Sequence, residues 1–119
     1  MSTTAPAVGS HILADFHGVD GVVLRDGAAL EQLLCRAARD AGARVLSCHF
    51  HSFGEGGGIT GVVLLAESHI SIHTWPEHGF AAMDIFMCGA TDARRALTVL
   101  TNALAPSRTH VELAARGAN

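Results

Sequence analysis

The sequence predicts an α/β (α+β) fold: a two-layer sandwich with a mixed, mainly antiparallel sheet and two helices on one face, in the order β-α-β-β-β-β-α-β. Three observations carry this. Short runs rich in Val, Ile and Phe recur between glycines, which is strand composition. Two other segments repeat Leu and Ala at helical spacing, each after a strand-like run. Each has a single apolar stripe, so both cover one face of a common sheet.

The elements follow in order. Residues 1–9 are small and polar and read as a frayed end. "HILADFHGV" (11–19) is extended and stops at Gly18 and Gly21. Asp26 caps a helix on which Leu30, Leu33, Leu34, Ala37, Ala38 and Ala41 recur, with Gly42 as its stop. "RVLSCHFHSF" (44–53) is a strand, "GEGGG" (54–58) a loop and "ITGVVLLAES" (59–68) a strand. "HISIHTW" alternates and continues extended to Pro76, and "FAAMDIFMC" (80–88) is a strand ending at Gly89. Asp92 caps a second helix with Ala93, Ala96, Leu97, Leu100 and Leu104 on one side, and "RTHVELA" (108–114) closes the chain.

At 119 residues this is one domain, 1–119. Apolar residues at 49% and charged residues at 16% mark a compact globular chain. A net charge of −3, with a pI near 6.2, gives no footprint for nucleic acid. No apolar run reaches the roughly 18 residues of a membrane span. Cys35, Cys48 and Cys88 are an odd set without CxxC spacing, which predicts neither a disulfide framework nor a structural zinc site. With no secretory signal in "MSTTAPAVGSH", the expected compartment is the cytoplasm. The sheet face without helices would lie open in a monomer, which favours self-association.

The stretch "ESHISIHTWPE" (67–77) is crowded with polar groups for a strand. Histidine is abundant, eight in all, yet "HFH" lacks the spacing of a known metal site, so no metal is expected. The "GEGGG" loop matches no phosphate-binding pattern. Ser68 and His73 suggest a nucleophile and a base. Five residues of strand, however, separate them by about 16 Å at ~3.3 Å per residue, and odd spacing turns them to opposite faces. Either the strand breaks between them or each meets partners from elsewhere. Cys88, before Gly89, reads on its own as a small buried hydrophobe, and Cys35 and Cys48 as packing residues.

"ESHISIHTWPE" followed by "GFAAMDIFMCG" closely resembles the signature of bacterial-type, pyruvoyl-dependent S-adenosylmethionine decarboxylases. The likeness extends through "HILADFHGVD", "AGARVLSCHFHSF" and the final "VEL". It implies a zymogen that cuts itself between Glu67 and Ser68 into a β chain, 1–67, and an α chain, 68–119. Ser68 would become a covalent pyruvoyl group that forms a Schiff base with the substrate amine and accepts electrons on decarboxylation. The product would be S-adenosylmethioninamine, the aminopropyl donor of spermidine synthesis. By the same resemblance, His73 removes the α-proton of residue 68 during self-cleavage, and Cys88 donates a proton in turnover. Thr60, where relatives carry serine, supports the acyl shift; Glu77 binds ribose hydroxyls and Phe53 stacks on adenine. A homodimer with shared sites is implied, with His73 and Thr60 reaching Ser68 of the other copy. The glycine-rich loop and His78 depart from the family pattern near the nucleoside pocket. The alternative is therefore a pyruvoyl-dependent arginine or ornithine decarboxylase, with Glu55, Asp15 or Glu77 holding the cationic side chain. A non-catalytic copy is a third reading, opposed by the presence of Ser68, His73 and Cys88 together.

Overall fold

A computed structural model describes residues 7–117 of the chain. Its elements are β1 (Gly9–His17), α1 (Gly21–Leu24), α2 (Gly27–Asp40), β2 (Val45–Ser52), β3 (Ile59–Leu65), β4 (Ser68–Trp75), a 3-10 turn (Pro76–His78), β5 (Phe80–Cys88), α3 (Ala93–Leu104) and β6 (Arg108–Arg116). The strands form one six-stranded sheet in the order β2-β3-β4-β5-β1-β6. Every pairing is antiparallel, so the mixed character expected from the sequence is absent.

Both predicted helix starts are where the capping chemistry puts them. Asp26 accepts from the Ala29 amide at 3.0 Å, and Asp92 from the Arg94 amide at 3.0 Å, each relieving a helix N–H that has no intrahelical partner. Leu30, Leu34, Ala37 and Ala38 of α2 meet Ala96, Leu100 and Leu104 of α3 and the inward residues of the sheet in one core. Alternation settles which strand residues join it. Ile12, Ala14 and Phe16 of β1 and Ala81, Met83, Ile85 and Met87 of β5 point in, and their neighbours point to the helix-free face.

Three boundaries differ from the sequence reading. The start of the chain is ordered earlier than expected: β1 begins at Gly9, and the Val8 amide bonds the Arg116 carbonyl at 2.8 Å. Residues 1–6 of the predicted frayed end lie outside the described residues. A one-turn helix, α1, begins at Gly21 because Asp20 caps it through the Val22 amide. Finally, the strand expected over 59–68 stops at Leu65: Ala66–Glu67 form a hairpin turn, and Ser68 already belongs to β4. Thr74, the single buried polar residue among those described, ties the layers together: its hydroxyl donates to the Leu24 carbonyl at 2.8 Å and accepts from the Ile59 amide at 2.9 Å.

Candidate active site

The polar stretch at 67–77 resolves into two groups at opposite ends of β4. The first sits on the hairpin turn. Leu65 pairs with Ser68, leaving Ala66 and Glu67 as a two-residue loop. Glu67 holds φ at +62°, a left-handed conformation that turns normally assign to Gly or Asn. For a residue with a Cβ this costs about 1 kcal/mol, so the backbone next to the Glu67–Ser68 bond is strained. Cys88, the last residue of β5, faces the turn. Its thiol donates to the Glu67 carbonyl oxygen at 3.2 Å and lies 3.7 Å from Ser68 Oγ. A hydroxyl nucleophile, an electrophilic carbonyl and a donor already on that carbonyl's oxygen therefore meet at one peptide bond.

The second group lies near the far end of β4, on the helix-free face. Thr60 of β3 pairs with His73 of β4, and Thr60 Oγ1 is 3.1 Å from His73 Nδ1. Glu77 is exposed on the 3-10 turn beyond. Phe53, just past β2, is 62% exposed, its ring edge-on to His51 with centroids 4.6 Å apart. Ser68 shares the parity of buried Ile70 and Ile72, while His73 has the opposite parity and is exposed. The structure thus unites Glu67, Ser68 and Cys88, unites Thr60 with His73, and keeps the two groups apart within one chain.

A third cluster escaped the sequence reading. Asp84, the one charged residue in β5, accepts on a single oxygen from His11 Nε2 and His69 Nε2, both at 2.7 Å. Ser71 donates to its other oxygen. Burial works to raise the Asp84 pKa, but the bonds from Ser71, His11 and His69 outweigh it and hold the carboxyl below its usual range. A pocket of about 440 Å³ opens beside His11, His69, Phe86 and Arg116. His11, His69 and Asp84 are also the set among the described residues that could hold a metal ion. Arg116 opposes that use of His11. Its Nη1 lies 2.8 Å from His11 Nδ1, and a guanidinium only donates. Nδ1 therefore accepts, and Nε2 carries the proton given to Asp84. The signal available beforehand was the shared parity of His69 and Ser71 with a lone acid on the strand after them.

The depressed Asp84 pKa has a consequence in acid. Its contribution to stability is complete above the ordinary carboxyl value of about 4 and is lost as pH falls through the lower folded-state value. Urea midpoints measured against pH should show the stability gap between wild type and Asp84→Asn narrowing below about pH 4. A gap that stays constant to lower pH would contradict this assignment.

Residues 10–117 match the family model described as S-adenosylmethionine decarboxylase. The chain is 47% identical over 105 residues to the S-adenosylmethionine decarboxylase proenzyme of Pyrobaculum aerophilum, covering 87% of this chain and 84% of that one. It is 44% identical over 114 residues to the proenzyme of that name from Aquifex aeolicus, covering 95% and 84%. The crystal structure of the adenosylmethionine decarboxylase from Aquifex aeolicus superposes with a TM-score of 0.87 at 42% identity, over 95% of this chain and 93% of that one. An AdoMetDC monomer of Trypanosoma brucei shares the fold at a TM-score of 0.66 and 15% identity, over 87% of this chain and 45% of that one.

Proposed function

The chain belongs to the S-adenosylmethionine decarboxylase family and is a lyase of the decarboxylase type, and from that premise we propose that it acts on S-adenosylmethionine with a pyruvoyl group made from its own Ser68. One observation carries the proposal: the Cys88 thiol on the Glu67 carbonyl, beside Ser68 Oγ, at a turn whose Glu67 is held left-handed. Ser68 Oγ attacks the Glu67 carbonyl carbon and replaces the amide with an ester. The charge that develops on the carbonyl oxygen falls where the thiol already donates. Removal of the residue 68 α-proton then expels the Glu67 carboxylate. The dehydroalanine left at position 68 tautomerises, and water releases its nitrogen as ammonia.

The residues present suit the group so formed. As the first residue of β4, position 68 stays anchored by the pairing of His69 with Phe86, and Cys88 remains beside it. The pyruvoyl group supplies the electron sink for loss of the substrate's α-carboxylate. Cys88 holds the proton that returns to the substrate carbon. Phe53 offers an open aromatic face for the adenine, and an aromatic face also favours a sulfonium. Glu77 presents a carboxylate to the ribose hydroxyls. The product enters spermidine synthesis as an aminopropyl donor. His73 is the base for the α-proton and Thr60 a second oxyanion donor. In our reading both act, with Phe53 and Glu77 at the same end of β4, in the site of the other copy in a homodimer whose helix-free faces meet; their separation from Ser68 within one chain supports it.

Carbon dioxide release from S-adenosylmethionine, arginine and ornithine, assayed side by side, tests the substrate. Turnover of S-adenosylmethionine, with borohydride trapping of the substrate on the 68–119 fragment, is the expected result. Release from arginine or ornithine alone would transfer the site to the basic amino acids.

A further inference from the structure

We propose that Cys35 and Cys48 are a redox pair that closes to a reversible intramolecular disulfide on exposure to a hydroperoxide. Neither sulfur takes part in the proposed decarboxylation, and the inference does not depend on that reading.

The pair is invisible in the sequence, where one cysteine sits in a helix and the other in a strand. In the fold, Cys35 lies on the buried side of α2, and Cys48 pairs with inward-facing Val63, so Cys48 also points toward the helix layer. The two sulfurs are 3.6 Å apart, and both are free thiols. A disulfide needs about 2.05 Å between sulfurs, so the closing movement is about the size of a side-chain rotation. β2 can give: it is an edge strand, and its register with β3 shifts between Val45 and Ser47, immediately before Cys48. An irregularity of that kind loosens the ladder where the strand would have to move.

The two thiols have unequal environments, which divides the roles. Cys35 is only 8% exposed, and burial, together with the neighbouring Cys48 sulfur, pushes its pKa up to about 11. It is a poor first nucleophile. Cys48, half-buried at the sheet edge, is the point of entry. Its thiolate attacks one peroxide oxygen, the O–O bond breaks, and the other oxygen leaves as water or an alcohol. Cys48 is now a sulfenic acid. The Cys35 sulfur displaces the hydroxyl from the Cys48 sulfur, and the second oxygen leaves as water with the last thiol proton. Two thiols lose two electrons in total, and the hydroperoxide gains two. A dithiol reductant reverses the step by thiol–disulfide exchange. The bond would fasten α2 to the edge strand that leads to Phe53 and the glycine-rich loop.

The experiment treats native, full-length protein with hydrogen peroxide, blocks remaining thiols with iodoacetamide after denaturation, and maps tryptic peptides. Arg36, Arg39 and Arg44 lie between the two cysteines, so a disulfide joins separate peptides. The expected product is a Cys35–Cys48 linkage that dithiothreitol removes, with Tm raised by about 5 °C or more in the oxidised form. In Cys35→Ala, Cys48 should pass on to sulfinic acid for want of a resolving thiol. Wild-type protein in which Cys48 is sulfinic while Cys35 remains alkylatable, or in which the linkage involves Cys88, overturns the proposal.

Discussion

A Ser68→Ala chain is expected to remain a single polypeptide with no decarboxylase activity, whereas the wild-type chain separates on a denaturing gel into residues 1–67 and 68–119. On the proposed reading alanine removes the hydroxyl that attacks the Glu67 carbonyl, and with it the precursor of the electron sink, so both losses should be complete rather than partial. Folding should survive. The hydroxyl's contact is the weak one to Cys88 at 3.7 Å, and losing it should change stability by less than about 1 kcal/mol. The fold adds a second expectation for the wild type. Residues 1–67 carry β1, β2 and β3, and 68–119 carry β4, β5 and β6, yet β1 lies between β5 and β6 in the sheet. The N-terminal piece is thus clamped on both sides of β1 by the C-terminal piece. Cut protein should elute as one native species and part only in denaturant. A Ser68→Ala chain that is still cut, or that still decarboxylates, would remove Ser68 from the chemistry.

How far the sequence disclosed this molecule depends on whether the signal was local. The caps at Asp26 and Asp92 and the strand at 80–88 were legible because each is written in adjacent residues. The hairpin at Ala66–Glu67 was not. Neither residue is a turn former, and the positive φ at Glu67 runs against its own side chain. The same conflict is informative, since backbone strain concentrates where function requires it. The Asp84 cluster was hidden for another reason: its bonds join residues 73, 15 and 13 positions apart on three strands. Only the strand order, with β1 inserted beside β5, places His11 next to Asp84. The Cys35–Cys48 contact likewise needs the packing of a helix on an edge strand before it exists.

Strand geometry alone, by contrast, predicts that Ser68 and His73 cannot serve each other within one straight strand. Both lie in β4, with opposite parity and about 16 Å of strand between them at ~3.3 Å per residue. Two copies related by a two-fold axis resolve this if each lends its Thr60–His73 pair to the other's turn. Neither Ser68→Ala nor His73→Ala should be cut alone, the first for want of a nucleophile and the second for want of a base. Refolded together in equal amounts, half of the dimers are mixed. Each mixed dimer pairs Ser68 of the His73→Ala chain with His73 of the Ser68→Ala chain. The other site of that dimer lacks both groups. About a quarter of all chains should then be cut, and mass spectrometry should show that every α chain released carries the His73→Ala substitution. Decarboxylation should return in proportion to that fraction. If no chain is cut in the mixture, or if His73→Ala is cut alone, His73 does not act across an interface and the shared site is wrong.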